Sequence, residues 1–176
     1  MKKLSLILAI STLIALQIVA QTPRFQKYQI NETGYYAYFP GDPGKFDVAQ
    51  SQDSLLIYTK EIEIQGNKYG LIMVFFGDKF TKSPKEELSA LLESYMDYLK
   101  NSFEIKNAAG YGKGHTMDSN AEAQGIIDFW ESAAGLQYAV KGWIDKSALG
   151  FLYIAGKEEI NYNYKELFLN GFRFKN

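Results

Sequence analysis

The stretch LLIYTKEIEIQGNKYGLIMVFF, residues 55–76, decides the fold class. In its first half Leu56, Tyr58, Lys60, Ile62 and Ile64 take the even positions, while the odd ones turn polar at Thr59, Glu61 and Glu63. A period of two marks a half-buried strand, because successive side chains on extended backbone point to opposite faces. Gln65-Gly66-Asn67 then turns the chain. From Lys68 to Phe76 both parities are apolar, which predicts a central strand covered on both faces. Together the two halves read as an antiparallel hairpin.

A helix follows. Ser83-Pro84-Lys85-Glu86 has the pattern of a capping box, with Ser83 accepting from the Glu86 N–H, Glu86 reaching back, and Pro84 at the first helical position. Leu88, Leu91, Leu92, Tyr95, Met96 and Leu99 recur at helical spacing, and Glu87, Glu93, Asp97 and Lys100 take the other side. The spacing predicts a helix ending near Ser102 whose apolar stripe packs on the sheet.

Upstream, Tyr28–Asn31, Tyr35–Phe39 and Phe46–Ala49 read as short extended pieces, broken by Asn31-Glu32-Thr33-Gly34 and by Pro40-Gly41-Asp42-Pro43-Gly44. Downstream, Phe103–Tyr111 reads as a strand and the polar, glycine-rich Gly112–Asn120 as a loop. Ala123–Glu131, Leu136–Asp145 and Leu149–Gly156 form a meander with short joints. On its middle strand Leu136, Tyr138, Val140 and Ile144 alternate with Gln137, Lys141 and Asp145, which predicts one buried face. Asn161–Leu169 reads as a short helix, and Phe172-Arg173-Phe174 closes against the body.

At 176 residues, 47% apolar and 15% aromatic, the chain has the material for one ordinary core. With no Cys it has neither disulfides nor a Cys-ligated metal. Met1-Lys2-Lys3, the apolar run Leu4–Leu16 and the small Ala20 before polar Gln21-Thr22-Pro23 form the pattern of a secretory signal peptide, cleaved after Ala20. An uncleaved anchor is the alternative, but a spanning helix needs about 20 apolar residues and Gln17 interrupts this run. No Cys follows to carry a lipid. Cleavage removes Lys2 and Lys3, leaving 17 basic against 20 acidic side chains and a net charge of −3. That balance disfavours nucleic acid and acidic lipid surfaces as partners. The domains expected are a signal peptide over 1–20 and a single folded unit over 21–176.

The order of motifs in that unit resembles the PsbP-like family of exported bacterial domains, whose fold includes the extrinsic PsbP protein of photosystem II and a Ran-binding nuclear import factor. Gly34-Tyr35-Tyr36-Ala37-Tyr38-Phe39-Pro40-Gly41-Asp42-Pro43 matches the family's early strand ending in Phe-Pro. The hairpin with its tyrosine-containing second strand and the helix come next. Gly150-Phe151-Leu152-Tyr153-Ile154 is similar to the family's late aromatic-Tyr-apolar strand. Phe168-Leu169-Asn170-Gly171-Phe172-Arg173-Phe174 is similar to its closing segment, with Gly171 where the family usually has Ser. The resemblance implies an α+β fold: an antiparallel sheet, here of about six to seven strands, sandwiched by one long amphipathic helix and a short C-terminal helix. It implies little about activity and carries no catalytic signature, since fold does not determine function.

The residues themselves argue against common catalysis. His115 is the only histidine, so a Ser-His-acid triad would have to use it, and the chain has no Gly-x-Ser-x-Gly elbow. Its setting, Gly110-Tyr111-Gly112-Lys113-Gly114-His115-Thr116, reads as an exposed loop. A phosphate loop would need a following helix N-terminus, which this stretch lacks. One His without Cys makes zinc improbable. Asp42, Asp53 and Asp128 lack calcium-loop spacing. No cofactor and no metal are expected. Asp53-Ser54-Leu55 is a weak match to a bacterial O-glycosylation acceptor, and a polar loop entering a strand explains it as well.

Two leads remain. Glu61 and Glu63 share a strand face at roughly 7 Å, within the span of about 5–10 Å that glycosidase carboxylates use. Trp143, with Tyr138 and Lys141 on the same strand, is the candidate binding surface. Trp143 stands on the strand's more polar side, either as an exposed binding aromatic or packed beneath the C-terminal helix. The chain is therefore expected to be an exported, non-enzymatic binding or accessory domain. It would engage a protein or small ligand of the cell envelope, periplasmic or extracellular, through an aromatic-lined surface, without inserting in a membrane after cleavage. The alternative is a carboxylate-dependent hydrolase or lyase on envelope glycans or peptides, using Glu61 and Glu63.

Overall fold

A computed structural model describes residues 23–157 and 159–175. The expected leader over 1–20 lies outside the described residues. In chain order the strands are β1 (Gln26–Gln29), β2 (Tyr36–Phe39), β3 (Asp47–Gln50), β4 (Leu56–Ile64), β5 (Asn67–Phe75), β6 (Ile105–Ala108), β7 (Gly112–Met117), β8 (Asn120–Ser132), β9 (Gln137–Ile144) and β10 (Ala148–Gly156). Helix α1 (Lys85–Ser102) lies between β5 and β6, and α2 (Tyr162–Leu169) follows β10.

The hairpin of residues 55–76 is β4–β5, in register from Leu56↔Phe75 to Ile64↔Asn67. Gln65 and Gly66 close it with φ of 53° and 75°. Two positive-φ residues make a primed turn, whose twist matches that of the flanking strands. The main sheet runs β3-β4-β5-β10-β9-β8-β6, with β7 also paired to β8, and β1–β2 form a separate two-stranded ribbon. All the pairings are antiparallel.

The chain is α+β, and its main sheet has eight strands rather than six to seven. The strand that the sequence does not show is β7, over residues that read as a loop. Gly112 and Gly114 make it possible: a Cβ at Gly112 would lie 2.9 Å from Ile127 Cγ2, and Gly114 has a φ of 84°. The strand therefore lies on β8 in a broken register, Gly112↔Ile127, His115↔Gly125, Met117↔Asn120.

Both faces of the sheet are covered. On one, Leu88, Leu92, Met96 and Leu99 of α1 meet Val74, Ile126, Trp130, Val140, Ile144, Leu149 and Phe151. Each such Leu or Met contributes about 1.5–3 kcal/mol by leaving water. On the other, the β1–β2 ribbon, Phe168 and Leu169 of α2 and the closing Phe172 and Phe174 cover Tyr69, Leu71, Met73, Leu152 and Ile154. The middle strand β9 is thus not half-buried: every residue from Ala139 to Ile144, Lys141 included, is buried.

The start of α1 also differs from its sequence pattern. Pro84 is the N-cap, at φ −69° and ψ 162°, and no side chain caps the helix. Extended backbone at Pro84 starts the helix at Lys85, one residue later than a Ser83 cap requires. Glu86 and Glu87 still sit in the first turn, where they complement the helix dipole. In α2 the cap is made: the Asn161 side chain accepts from the Asn163 and Tyr164 N–H groups. Among the described residues no helix is long and apolar enough to cross a membrane.

Candidate functional site

Tyr138, Lys141 and Trp143 do not form one surface. The side chain of Tyr138 faces α1, stacking on Phe103 with ring centroids 5.5 Å apart. Lys141 and Trp143 point to the opposite face, beneath the end of α2. Trp143 is 3% exposed, so it offers no surface to a partner. The correction follows from what covers its face. The indole N–H donates to the Leu169 carbonyl at 3.0 Å, and a Cβ at Gly125 would lie 2.6 Å from the ring. Trp143 takes the place that packing beneath the C-terminal helix gives it.

Lys141 is 5% exposed. Its ammonium lies 2.7 Å from Asn170 Oδ1, 3.2 Å from His115 Nδ1 and 4.6 Å from the centre of the Trp143 ring. Burial holds its pKa below the ordinary lysine value, with Glu166 opposing. His115 is correspondingly a half-buried residue of β7 rather than an exposed loop residue. Burial and the neighbouring Lys141 lower its pKa, again against Glu166.

Glu61 and Glu63 stand on one strand, but their surroundings differ. Glu61 accepts from the Tyr153 hydroxyl at 2.7 Å and from Lys68 at 2.9 Å. Burial alone would raise its pKa; the two hydrogen bonds outweigh burial and lower it. Tyr153 is pushed up by burial and by Glu61. A carboxylate held charged in this way does not serve as a proton donor, which needs a raised pKa. Glu63 borders a cavity of about 380 Å³ with Lys68, Lys157 and Glu159, and Glu61 does not line it.

A buried ionic centre on the α1 face had no counterpart in the sequence reading. Asp128 is fully buried; its Oδ1 accepts from the Gly110 and Phe129 N–H groups at 2.9 and 2.8 Å. Lys100 lies 3.2 Å from Oδ2, an ion pair without hydrogen-bond geometry. Lys100 also sits 4.0 Å from the centre of the Tyr111 ring, and Tyr111 donates to Asp97. The only signal in the sequence was an acid sharing a strand face with Ile126 and Trp130. Among the described residues no cluster of three His, Asp or Glu is placed to hold a metal.

A further concavity lies elsewhere, at the β3 edge. It is a groove of about 830 Å³. Val48, Leu56, Tyr58 and Phe75 line it on the apolar side, and Glu32, Lys45 and Lys175 supply its charges. Its floor is the part of the second sheet face that the β1–β2 ribbon leaves uncovered. Val48 and Leu56 are 50% and 37% exposed. The wall is firmly built: the Asn31 amide donates to the Phe46 carbonyl and accepts from the Phe46 N–H, tying the ribbon's turn to the segment before β3. Among the described residues, strand β3 pairs with β4 alone. Sequence reading missed the groove because its lining comes from five separate stretches of chain.

Neither a protein-family model nor a curated protein matches this chain.

Proposed function

We propose that this chain is an exported, non-enzymatic binding or accessory domain of PsbP-like architecture, and that the groove beside β3 holds its ligand. Export rests on the signal-peptide pattern of residues 1–20. The family reading rests on the order of the motifs and on a sheet covered on both faces. The observation that carries the binding site is the exposure of two apolar sheet residues, Val48 and Leu56, in the lining of one groove. A concave, partly apolar surface of this size with a few charged groups at its rim is the usual form of a ligand site. Two lysines, Lys45 and Lys175, face one acid, Glu32, in a chain that is net negative. Next to the groove, Lys60 donates to the Lys45 carbonyl at 2.9 Å. The occupant that fits is an apolar body carrying an anionic group.

The test uses anilinonaphthalene sulfonate, an apolar anion, as a fluorescent probe on the folded protein, together with capture of ligands from an envelope extract. Val48→Asp and Leu56→Asp are expected to weaken both by about tenfold or more, and Tyr98→Ala on the outer side of α1 to leave them unchanged. Equal probe binding and equal capture in all four proteins removes the groove as the site.

A further inference from the structure

The contact between Lys141 and Asn170 joins the centre of the sheet to the C-terminal end of α2, across 29 positions of sequence. Its orientation is determined by its neighbours. Asn170 Nδ2 donates to the Glu166 carbonyl at 3.0 Å and to the Glu166 carboxylate at 2.9 Å, which turns Oδ1 toward the lysine at 2.7 Å. The amide therefore presents its carbonyl to the amine and its nitrogen to a carboxylate. Both ends are rigidly held. Lys141 stands on a central strand, while Trp143 grips the Leu169 carbonyl and Arg173 donates to the Asn170 carbonyl at 2.6 Å. His115 Nδ1 lies 3.2 Å from the amine, within reach of one of its protons.

We propose that Lys141 and Asn170 become joined by an intramolecular isopeptide bond. The Lys141 ammonium gives one proton to His115 Nδ1, and the freed Nζ lone pair attacks Cγ of the Asn170 side chain. A second proton leaves Nζ and reaches Nδ2 through the Glu166 carboxylate. The Nζ–Cγ bond forms, the Cγ–Nδ2 bond breaks with its electron pair on nitrogen, and ammonia departs. Ammonia then takes the proton from His115, so a lysine ammonium and an amide give a secondary amide and an ammonium ion. No oxidant, reductant or co-reactant enters. The reactants are pre-placed, which replaces a bimolecular encounter by a local one. Burial, which lowers the pKa values of Lys141 and His115, favours the neutral amine and a free Nδ1. The product would clamp α2 to the sheet covalently in a chain that has no Cys for disulfides.

Peptide mapping of the full-length folded protein decides the matter. A tryptic digest of the wild type is expected to contain residues 114–146, uncut at Lys141, joined to residues 166–173, with the combined mass short by one ammonia. Lys141→Arg and Asn170→Ala abolish this species. Glu166→Gln slows its appearance about 100-fold or more, the scale of a lost general acid–base group. Linear peptides 114–141 and 166–173 as the sole products from the wild type overturn the proposal. So does an ammonia loss confined to residues 166–173, the mark of Asn170 closing on the Gly171 nitrogen.

Discussion

Trp143 on β9 donates its indole N–H to the carbonyl of Leu169 in the last turn of α2, at 3.0 Å, wholly inside the protein. This one bond orients the helix whose far side closes the second layer, and it links two segments that a sequence window never sees together. Trp143→Phe keeps most of the ring and leaves the Leu169 carbonyl without its donor, a loss of about 1–3 kcal/mol. Trp143→Ala adds a cavity and costs about 3–5 kcal/mol. Urea unfolding midpoints rank the three proteins; an unchanged midpoint for Trp143→Ala contradicts the assigned packing.

Gly70 is a glycine for reasons of space. A Cβ there would lie 2.0 Å from Cζ of Tyr153, whose ring crosses β5 to reach Glu61. Gly70→Ala is expected to destabilise by about 1–3 kcal/mol or more through overpacking. In a Tyr153→Ala background the same change costs far less, because the clashing ring is gone. The double-mutant cycle checks this, and strict additivity would count against the contact.

Lys100 and Asp128 form a pair in which the acid is fully buried and the base partly so. Lys100→Met removes the cation paired with Asp128 and is expected to cost about 3–5 kcal/mol, the scale of an uncompensated buried charge. The double variant Lys100→Met, Asp128→Asn should recover much of that loss, since no charge then remains to be balanced. Denaturant titration of the three variants measures it. A double variant as unstable as the single one refutes the account.

The pH response of Glu61 has a definite sign. Its folded pKa is lowered by Tyr153 and Lys68 despite burial, so the unfolded chain binds its proton more readily. Its contribution to stability is present above the unfolded carboxylate value of about 4.3 and is lost as pH falls through the folded value. Because the side chain is partly exposed, solvent screening keeps the effect small. The midpoint difference between wild type and Glu61→Gln should therefore shrink between about pH 7 and about pH 3. A difference that grows on acidification would mean a raised pKa and would return Glu61 to candidacy as a general acid.

Periodic segments were legible in the sequence and aperiodic ones were not. The β4–β5 hairpin, the α1 stripe and the meander each follow from a repeated spacing, because one repeated spacing aligns a whole face with the core. Strand β7 has no such spacing; it reads as glycine-rich and polar, and pairing with β8 alone makes it a strand. The alternation on β9 places Lys141 on the solvent-facing side of a half-buried strand. Its face is in fact sealed by α2, a helix that begins about twenty residues later in the chain. The groove was invisible for the same reason: Gln29, Lys45, Val48, Leu56, Phe75 and Lys175 become neighbours only after the sheet and ribbon assemble.

By itself, then, the sequence determined the local elements: strands where polarity alternates, a helix where apolar residues recur at three and four, turns at Gly and Pro. These follow from interactions between near neighbours, which a linear pattern records. The tertiary structure alone decided which faces are covered and which polar side chains are drawn inside with them. Lys141 with Asn170, Lys100 with Asp128 and Glu61 with Tyr153 are pairings of that second kind. A buried polar group must find its partner wherever the fold brings one, and that partner's distance along the chain carries no information about its identity.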